Sequence, residues 1–377
     1  MNSNYTTDSI IIKSPGRINL IGEHLDYNGG YVFPGAINHN IILKFTKTQN
    51  NQCTIISEGF GSFSFNIQKP IKISSNHWEN YILGVIHGIH KIRPDKLKGF
   101  NCEITSSLPE GAGIASSAAL ECGVAEGLNQ LFNLNFSDHD LIDISVKAEH
   151  NFVKNNCGIM DQFSIIKGKA QKLILLNCAT LKFEFFQFEF DDYSIILLNS
   201  NVKHNLSESE YNLRRKECEQ ALEIIQKHHS GYNYLVDVPE NIIDELKDDL
   251  TDKLYKRAVF VSQENARVLK SVTHLKKREI VKFGELMYES HDGLSKKYEV
   301  SSSELDFLVE LTKDLPYVVG SRMMGGGFGG STINIVEKKF INEFLSLAYE
   351  KYKSKFNHNL ISLEVEISDG VGSANVI

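Results

Sequence analysis

Arg17, Glu23, His24 and Asp26 fall close together in the run Ser14-Pro15-Gly16-Arg17-Ile18-Asn19-Leu20-Ile21-Gly22-Glu23-His24-Leu25-Asp26-Tyr27, with Gly29 and Gly30 just beyond. An ordinary strand or helix has no use for so many charges at this spacing. A small ligand with several hydroxyls does, because each hydroxyl requires a donor or acceptor at a fixed place. A second group suits phosphate: Leu108-Pro109-Glu110-Gly111-Ala112-Gly113-Ile114-Ala115-Ser116-Ser117-Ala118 is a glycine-rich turn between a predicted strand and a predicted helix. Unpaired N–H groups and the helix dipole would both face an anion there. Ser116 and Ser117 are able to cap that helix, to donate to phosphate oxygens or to ligate a metal; a plain capped helix has the same letters. A third group, Gly158-Ile159-Met160-Asp161-Gln162, sets a carboxylate beside a glycine, as either a base or a helix cap would.

Two well-known nucleotide motifs do not apply. A Walker A loop needs lysine at the helix entry, and none stands between 108 and 118. Gly325-Gly326-Gly327-Phe328-Gly329-Gly330 matches a dinucleotide fingerprint by letter, but Thr332-Ile333-Asn334-Ile335-Val336 behind it is a strand and not a helix.

The elements that must position these groups follow from periodicity. Strands are expected at Ile10 to Ile12, 41–45 and 53–56, at Phe63 to Ile67, at Phe100 to Ile104, at 195–198, 332–336 and 363–367. Helical stripes run through Tyr81, Val85 and Ile89, through Leu120, Val124 and Leu128, and through Leu141, Ile144 and Ala148. Further helices are expected near 254–272, 276–291 and 303–313. Ser207-Glu208-Ser209-Glu210 has capping-box spacing at the start of another.

A chain of 377 residues is longer than one ordinary core supports, so two domains are expected, with a boundary near 185. The first would span 1–185 and the second 186–377. Hydrophobic content of 42% with 23% charged residues is that of a water-soluble globular protein. A net charge of −7 with no long run of Lys and Arg argues against nucleic acid or an anionic membrane as partner. The six cysteines (Cys53, Cys102, Cys122, Cys157, Cys178 and Cys218) form no Cys-x-x-Cys pair and read as reduced thiols. The polar start lacks the features of a signal peptide, and no apolar run approaches the ~20 residues of a spanning helix, so a cytoplasmic monomer is expected.

The 14–27 segment closely resembles the sugar-recognition segment of galactokinases, within the GHMP family of small-molecule kinases that also includes homoserine, mevalonate and phosphomevalonate kinases. The 108–118 segment resembles that family's ATP-phosphate loop, with Ile114 and Ala115 where leucine and serine are usual. Arg322 to Ser331 resembles its third motif, with Met324 and Ser331 in place of threonine and cysteine. Cys157-Gly158-Ile159-Met160-Asp161-Gln162 is similar to the galactokinase catalytic segment, and Ala148-Glu149-His150 to the segment that holds Mg²⁺. Phe260, Lys154 and Asn177 depart from the usual histidine, glycine and aspartate.

The resemblance implies an α/β (α+β) protein of two domains with the active site in the cleft between them and a left-handed βαβ crossover in the first. It implies that Asp161 is the base, or the charge that orients the attacking hydroxyl, and that Arg17 keeps it ionised and neutralises charge at the reacting oxygen. Glu23, His24, Asp26, Gly158 and Tyr211 would bind the sugar. Gly111, Ala112, Gly113, Ile114, Ala115, Ser116 and Ser117 would cradle the phosphates of ATP, Ser57 would lie near the base with Trp78 and Tyr81, and Ser117 and Glu149 would hold Mg²⁺. The implied reaction is ATP-dependent phosphorylation of the anomeric hydroxyl of galactose. The rivals are an N-acetylgalactosamine kinase and a non-catalytic sugar and ATP sensor; the sensors lack the Ser-Ala pair present here as Ser117-Ala118. His291 reads as a structural helix residue rather than a ligand.

Overall fold

The computed structural model describes residues 9–202 and 207–374, the side chains of 207 and 208 excepted. The chain begins with β1 (Ser9–Asn19), β2 (Tyr31–Val32), β3 (Pro34–Lys47), β4 (Gln52–Ser57), β5 (Gly61–Asn66), α1 (His77–Ile92) and β6 (Phe100–Ser106). It continues with α2 (Ser116–Leu131), α3 (Asp138–Ala148), α4 (Met160–Lys167), β7 (Lys172–Asn177) and β8 (Phe183–Gln187). Next come β9 (Tyr193–Asn199), α5 (Ser207–His228), α6 (Glu240–Glu245), α7 (Asp252–Lys276), α8 (Ile280–Gly293) and α9 (Ser303–Thr312). The last elements are β10 (Val318–Met324), β11 (Ser331–Glu337), α10 (Ile341–Phe356), β12 (Ile361–Val365) and β13 (Gly372–Ser373).

These strands form three sheets. The largest has the order β13-β1-β3-β6-β4-β5, with β4 and β6 parallel; the second has the order β10-β11-β9-β12 and is antiparallel throughout; the smallest is β2-β7-β8. Strand β1 is buried continuously from Ser14 onward, which is why its polar residues must find partners inside the protein. Its register against β3 shifts between Pro15 and Arg17, a bulge that re-aims the arginine. Helix α2 lies over β1 and β3 through small residues. A Cβ at Gly127 would meet a Phe45 ring carbon at 2.1 Å, and one at Gly123 would meet Leu43 at 2.6 Å. That close approach sets the start of α2, and hence the glycine-rich turn before it, directly beside Arg17.

The expected strands and helices are present, most of them longer than expected; β1 runs on through Arg17 to Asn19. The capping pair expected at 207–210 lies partly outside the described residues. Position 185 falls inside β8, which pairs with β7 before it, and the second large sheet starts at β9. The short β13 returns to the first sheet and pairs with β1 at Ile12 and Lys13. No described helix is long and apolar enough to cross a membrane.

Helix α8 rests on β10 at a glycine pair, and a Cβ at Gly284 would meet the Val319 carbonyl oxygen at 1.8 Å. Alanine favours a helix interior over glycine by up to about 1 kcal/mol. Here the clash is with backbone and wins. Gly284→Ala is expected to lower stability by about 2 kcal/mol, read as a reduced thermal midpoint by calorimetry.

Candidate active site

A cleft of about 910 Å³ is lined from both halves of the chain and takes in Arg17, Glu23, His24, Asp26, Glu149, Asp161 and Tyr211. The bulge in β1 delivers Arg17 to it, and the first turn of α4 delivers Asp161. Arg17 Nε donates to Asp161 Oδ1 at 2.7 Å and Nη2 to Oδ2 at 2.8 Å, a bidentate pair. Nη1 donates to the Gly113 carbonyl at 2.6 Å, so the same guanidinium also ties down the glycine-rich turn. Burial alone would lower the arginine pKa; the charges of Asp161 and Glu23 outweigh it, and the group is held cationic. The Arg17 side chain is only 6% exposed whereas that of Asp161 is 26% exposed, which leaves the carboxylate reachable from the cleft.

Glu23 accepts from Arg322 Nη2 at 3.1 Å and from the Gly325 amide at 2.9 Å, both on Oε1. Among the described residues Oε2 has no such bond, and it is the oxygen a ligand would meet. Asp26 lies against Gly158 so closely that a Cβ there would sit 2.0 Å from a carboxylate oxygen, so the glycine is needed for space. Burial, and after it the charge of Asp161, pushes the Asp26 carboxyl up to about 7. His24 adopts a left-handed backbone (φ 62°), and both its ring nitrogens are engaged, one with Tyr27 and one with the Gly326 carbonyl. Burial pushes its pKa down to about 3. Tyr211, from α5, packs its ring against those of His24 and Tyr27 at 5.4 and 5.6 Å.

The glycine-rich turn does not end in a serine cap. Ala115 occupies the cap position of α2, with φ 57° and no side-chain acceptor, and Ser116 and Ser117 are the first helical residues. The first-turn N–H groups of α2 are therefore without a capping side chain, which suits an anion. Gly111 and Gly113 take left-handed φ values of 66° and 71°. The turn is held from three sides: the Arg17 amide donates to the Ile114 carbonyl at 3.0 Å, Ser331 Oγ donates to the Ala112 carbonyl at 2.7 Å, and Gly113 abuts Met324 and Gly325. Ala112 and Ile114 are buried beneath it, while Gly111, Gly113, Ser116 and Ser117 line the cleft. Ser57, Trp78 and Tyr81 line the same cleft, with Trp78 packed edge-on against Phe63.

Glu149 stands in a π-helical turn after α3 and is buried at the cleft. Asn155 Nδ2 donates to it at 2.8 Å and Gln162 Nε2 at 2.9 Å. Burial, with a further contribution from Asp161, raises its pKa. Gln162 also donates to Glu121 at 3.1 Å, and Glu121 is raised well above the usual carboxylate range by burial and by the charge of Glu149. Among the described residues no group of three or more His, Cys, Asp or Glu is arranged to hold a metal ion. The donor set is a carboxylate and a hydroxyl, Glu149 and Ser117, on one cleft. That fits Mg²⁺, which is usually bound by one or two carboxylates and completed by substrate phosphates and water.

Two residues that shape the site, Glu264 and Asn265, were absent from the sequence expectations, and Arg322 entered them only as the first residue of the third motif. Arg322 is fully buried and donates to the carbonyls of Asn19 and Leu20 as well as to Glu23. From α7, Glu264 accepts from the Gly22 amide at 3.0 Å and Asn265 from the Tyr31 amide at 2.9 Å. The available signal was an arginine set in a β-rich run and a Glu-Asn pair in a helix, both commonplace by themselves. His291 matches its expected structural part: Nδ1 accepts from the Met323 amide at 3.2 Å, and Nε2 lies 3.2 Å from Asp306.

The raised pKa of Asp26 has a consequence for stability. Between the ordinary carboxylate value, near 4, and about 7 the folded protein holds a proton at Asp26 that the unfolded chain has lost, so stability falls as pH rises through that window. Asp26→Asn removes the liability. The variant is expected to gain stability over the parent at pH 8, on the order of 2 kcal/mol, and nothing at pH 4, by urea unfolding without sugar.

Comparison with known proteins identifies the family. Residues 2–47 match the galactokinase galactose-binding signature, 80–169 the N-terminal domain of GHMP kinases and 271–351 their C-terminal domain. A galactokinase from Thermosipho africanus is 42% identical over 365 residues, covering 96% of this chain and 98% of the relative. One from Clostridium acetobutylicum is 39% identical, with 97% and 95% covered. The crystal structure of Lactococcus lactis galactokinase complexed with galactose superposes with a TM-score of 0.92 at 34% identity, covering 98% of this chain and 96% of that one. Methanococcus jannaschii mevalonate kinase shares the fold, with a TM-score of 0.68 at 18% identity over 96% of this chain and 99% of that one. With identity this high along nearly its whole length, the chain belongs to the galactokinase family of the GHMP kinases.

Proposed function

We propose that this chain transfers the terminal phosphoryl group of ATP to the anomeric hydroxyl of D-galactose, giving galactose 1-phosphate and ADP. The reading is carried by the bidentate Arg17–Asp161 pair, placed where the sugar-recognition segment meets the glycine-rich turn. The hydroxyl oxygen forms its new bond to the γ-phosphorus as the bond to the ADP oxygen breaks, and its proton passes to the Asp161 carboxylate. Arg17 fixes that carboxylate and sets positive charge beside the reacting oxygen; such transfer relies mostly on positioning and charge neutralisation. Glu23, Asp26 and Tyr211, with the Gly158 amide and the His24 segment, hold the ring hydroxyls in place. The turn from Gly111 to Ser117 presents backbone N–H groups to the phosphates, and Ser57, Trp78 and Tyr81 lie toward the base. Ser117 and Glu149 would hold Mg²⁺, which would supply charge neutralisation for the transferring phosphates.

An ADP-release assay over a panel of galactose, glucose, mannose and N-acetylgalactosamine tests the assignment. Turnover is expected on galactose, and Asp161→Asn is expected to lose about 10²–10⁴-fold in kcat while ATP binding by calorimetry stays nearly constant. Equal rates for the two proteins would remove Asp161 from the chemistry, and a preference for another sugar would overturn the substrate.

A further inference from the structure

Both ring nitrogens of His24 are committed inside the protein, and the chemistry of their partners sets every proton. Nε2 lies 3.2 Å from the Gly326 carbonyl oxygen, which can only accept, so Nε2 carries the proton. Burial keeps the ring neutral, so Nδ1 is an acceptor. The Tyr27 hydroxyl, 2.7 Å from Nδ1, must therefore donate to it. Its oxygen is left to accept from the Tyr298 hydroxyl at 2.9 Å. The Tyr298 oxygen in turn faces Cys218 Sγ at 3.0 Å, and the thiol S–H is the donor that remains. The chain runs one way, from Cys218 on α5 through Tyr298 and Tyr27 to His24 and the Gly326 carbonyl.

The surroundings bury His24, Tyr298 and Cys218 and leave Tyr27 partly exposed. Tyr298 is fully buried and Cys218 nearly so. The His24 ring packs against Tyr298 at 4.9 Å, and Tyr298 packs against Phe260 at 4.6 Å. Hydrogen bonds in such a site are strong when complete and costly when one member is missing. The far end matters most, because Gly326 follows the Gly325 amide on which Glu23 rests. Two neighbouring side chains of the sugar segment, Glu23 and His24, thus hold adjacent residues of the glycine-rich loop, one by the Gly325 N–H and the other by the Gly326 carbonyl.

We propose that Tyr27, Tyr298 and Cys218 are positioning residues for the sugar site, a one-way hydrogen-bond relay that fixes His24 as its Nε2–H tautomer and holds the Gly325-Gly326 segment against the sugar-recognition segment. The proposal rests on the sugar-kinase reading above and deepens it. With both nitrogens spent, His24 serves the sugar site by fixing its walls and offers no free ring N–H.

The test has two arms on the full chain. In ¹⁵N-histidine NMR without sugar, the His24 signals are identified by their loss in His24→Gln. They are expected to show a protonated Nε2 and a bare Nδ1, a pattern that Tyr27→Phe disturbs. In kinetics, Tyr298→Phe and Cys218→Ala are expected to raise the galactose KM about 5–20-fold with the ATP KM held within about twofold. Cys218→Ser, which keeps a donor, is expected to bring the galactose KM back to within about twofold of the parent. A protonated Nδ1, a Cys218→Ser variant as impaired as Cys218→Ala, or equal rises in both KM values would overturn the relay. If the parent chain phosphorylates no hexose, the sugar-kinase reading fails while the NMR arm still decides the relay.

Discussion

A buried guanidinium with all but one of its acceptors in the sugar-recognition segment holds this site together. Arg322 is fully buried and spends its donors on the carbonyls of Asn19, Leu20 and Met323 and on Glu23. Removing one partner of such a buried charge costs about 3–5 kcal/mol, so residues 19–23 cannot leave β10 without exposing an unpaired cation. Glu23 then seats the Gly325 amide, and the loop beyond β10 packs on the glycine-rich turn through Gly113 and Ser331. Sugar segment and phosphate turn are thereby kept at one separation. In-line transfer between two bound substrates needs that above all else.

The cleft is richer in acids than in bases. Glu23, Asp26, Glu149 and Asp161 line it, with Glu121 buried behind Glu149, and the carboxyls of Asp26, Glu121 and Glu149 are all raised, first by burial and then by one another or by Asp161. Such a site favours ligands that bring hydroxyl donors or positive charge. A polyphosphate brings the opposite sign and needs its own counterweights. The uncapped start of α2 and the Arg17 side chain supply two of them, and the Glu149–Ser117 donor set suits a cation as a third.

Much of this was legible in the letters. Arg17, Glu23 and Asp26 stood out because charged residues beside glycines have few structural uses; Asp161 read equally as a helix cap until the resemblance singled it out, and all four share one cleft. The serines before α2 were legible as phosphate or metal donors but equally as caps; only the structure shows that Ala115 takes the cap position. Glu264 and Asn265, and the part Arg322 plays beyond opening the third motif, were hidden for a different reason. Their importance lies in partners some 240 to 300 positions away in sequence, and local periodicity has no access to such pairings. Helix α10 was legible in principle, since Phe344, Ala348 and Tyr352 recur at four-residue intervals and are all buried. Strands β7 and β8 were not: their apolar residues form short runs that fit a strand and a buried helix alike.

The 302-residue span between Glu23 and the Gly325 amide bears on how the enzyme is made. A ribosome delivers the acid first and the loop that seats it 302 residues later. Until then residues 19–23 have neither the buried arginine of β10 nor the loop that follows it. The segment and its seat can meet only after β10 has been made.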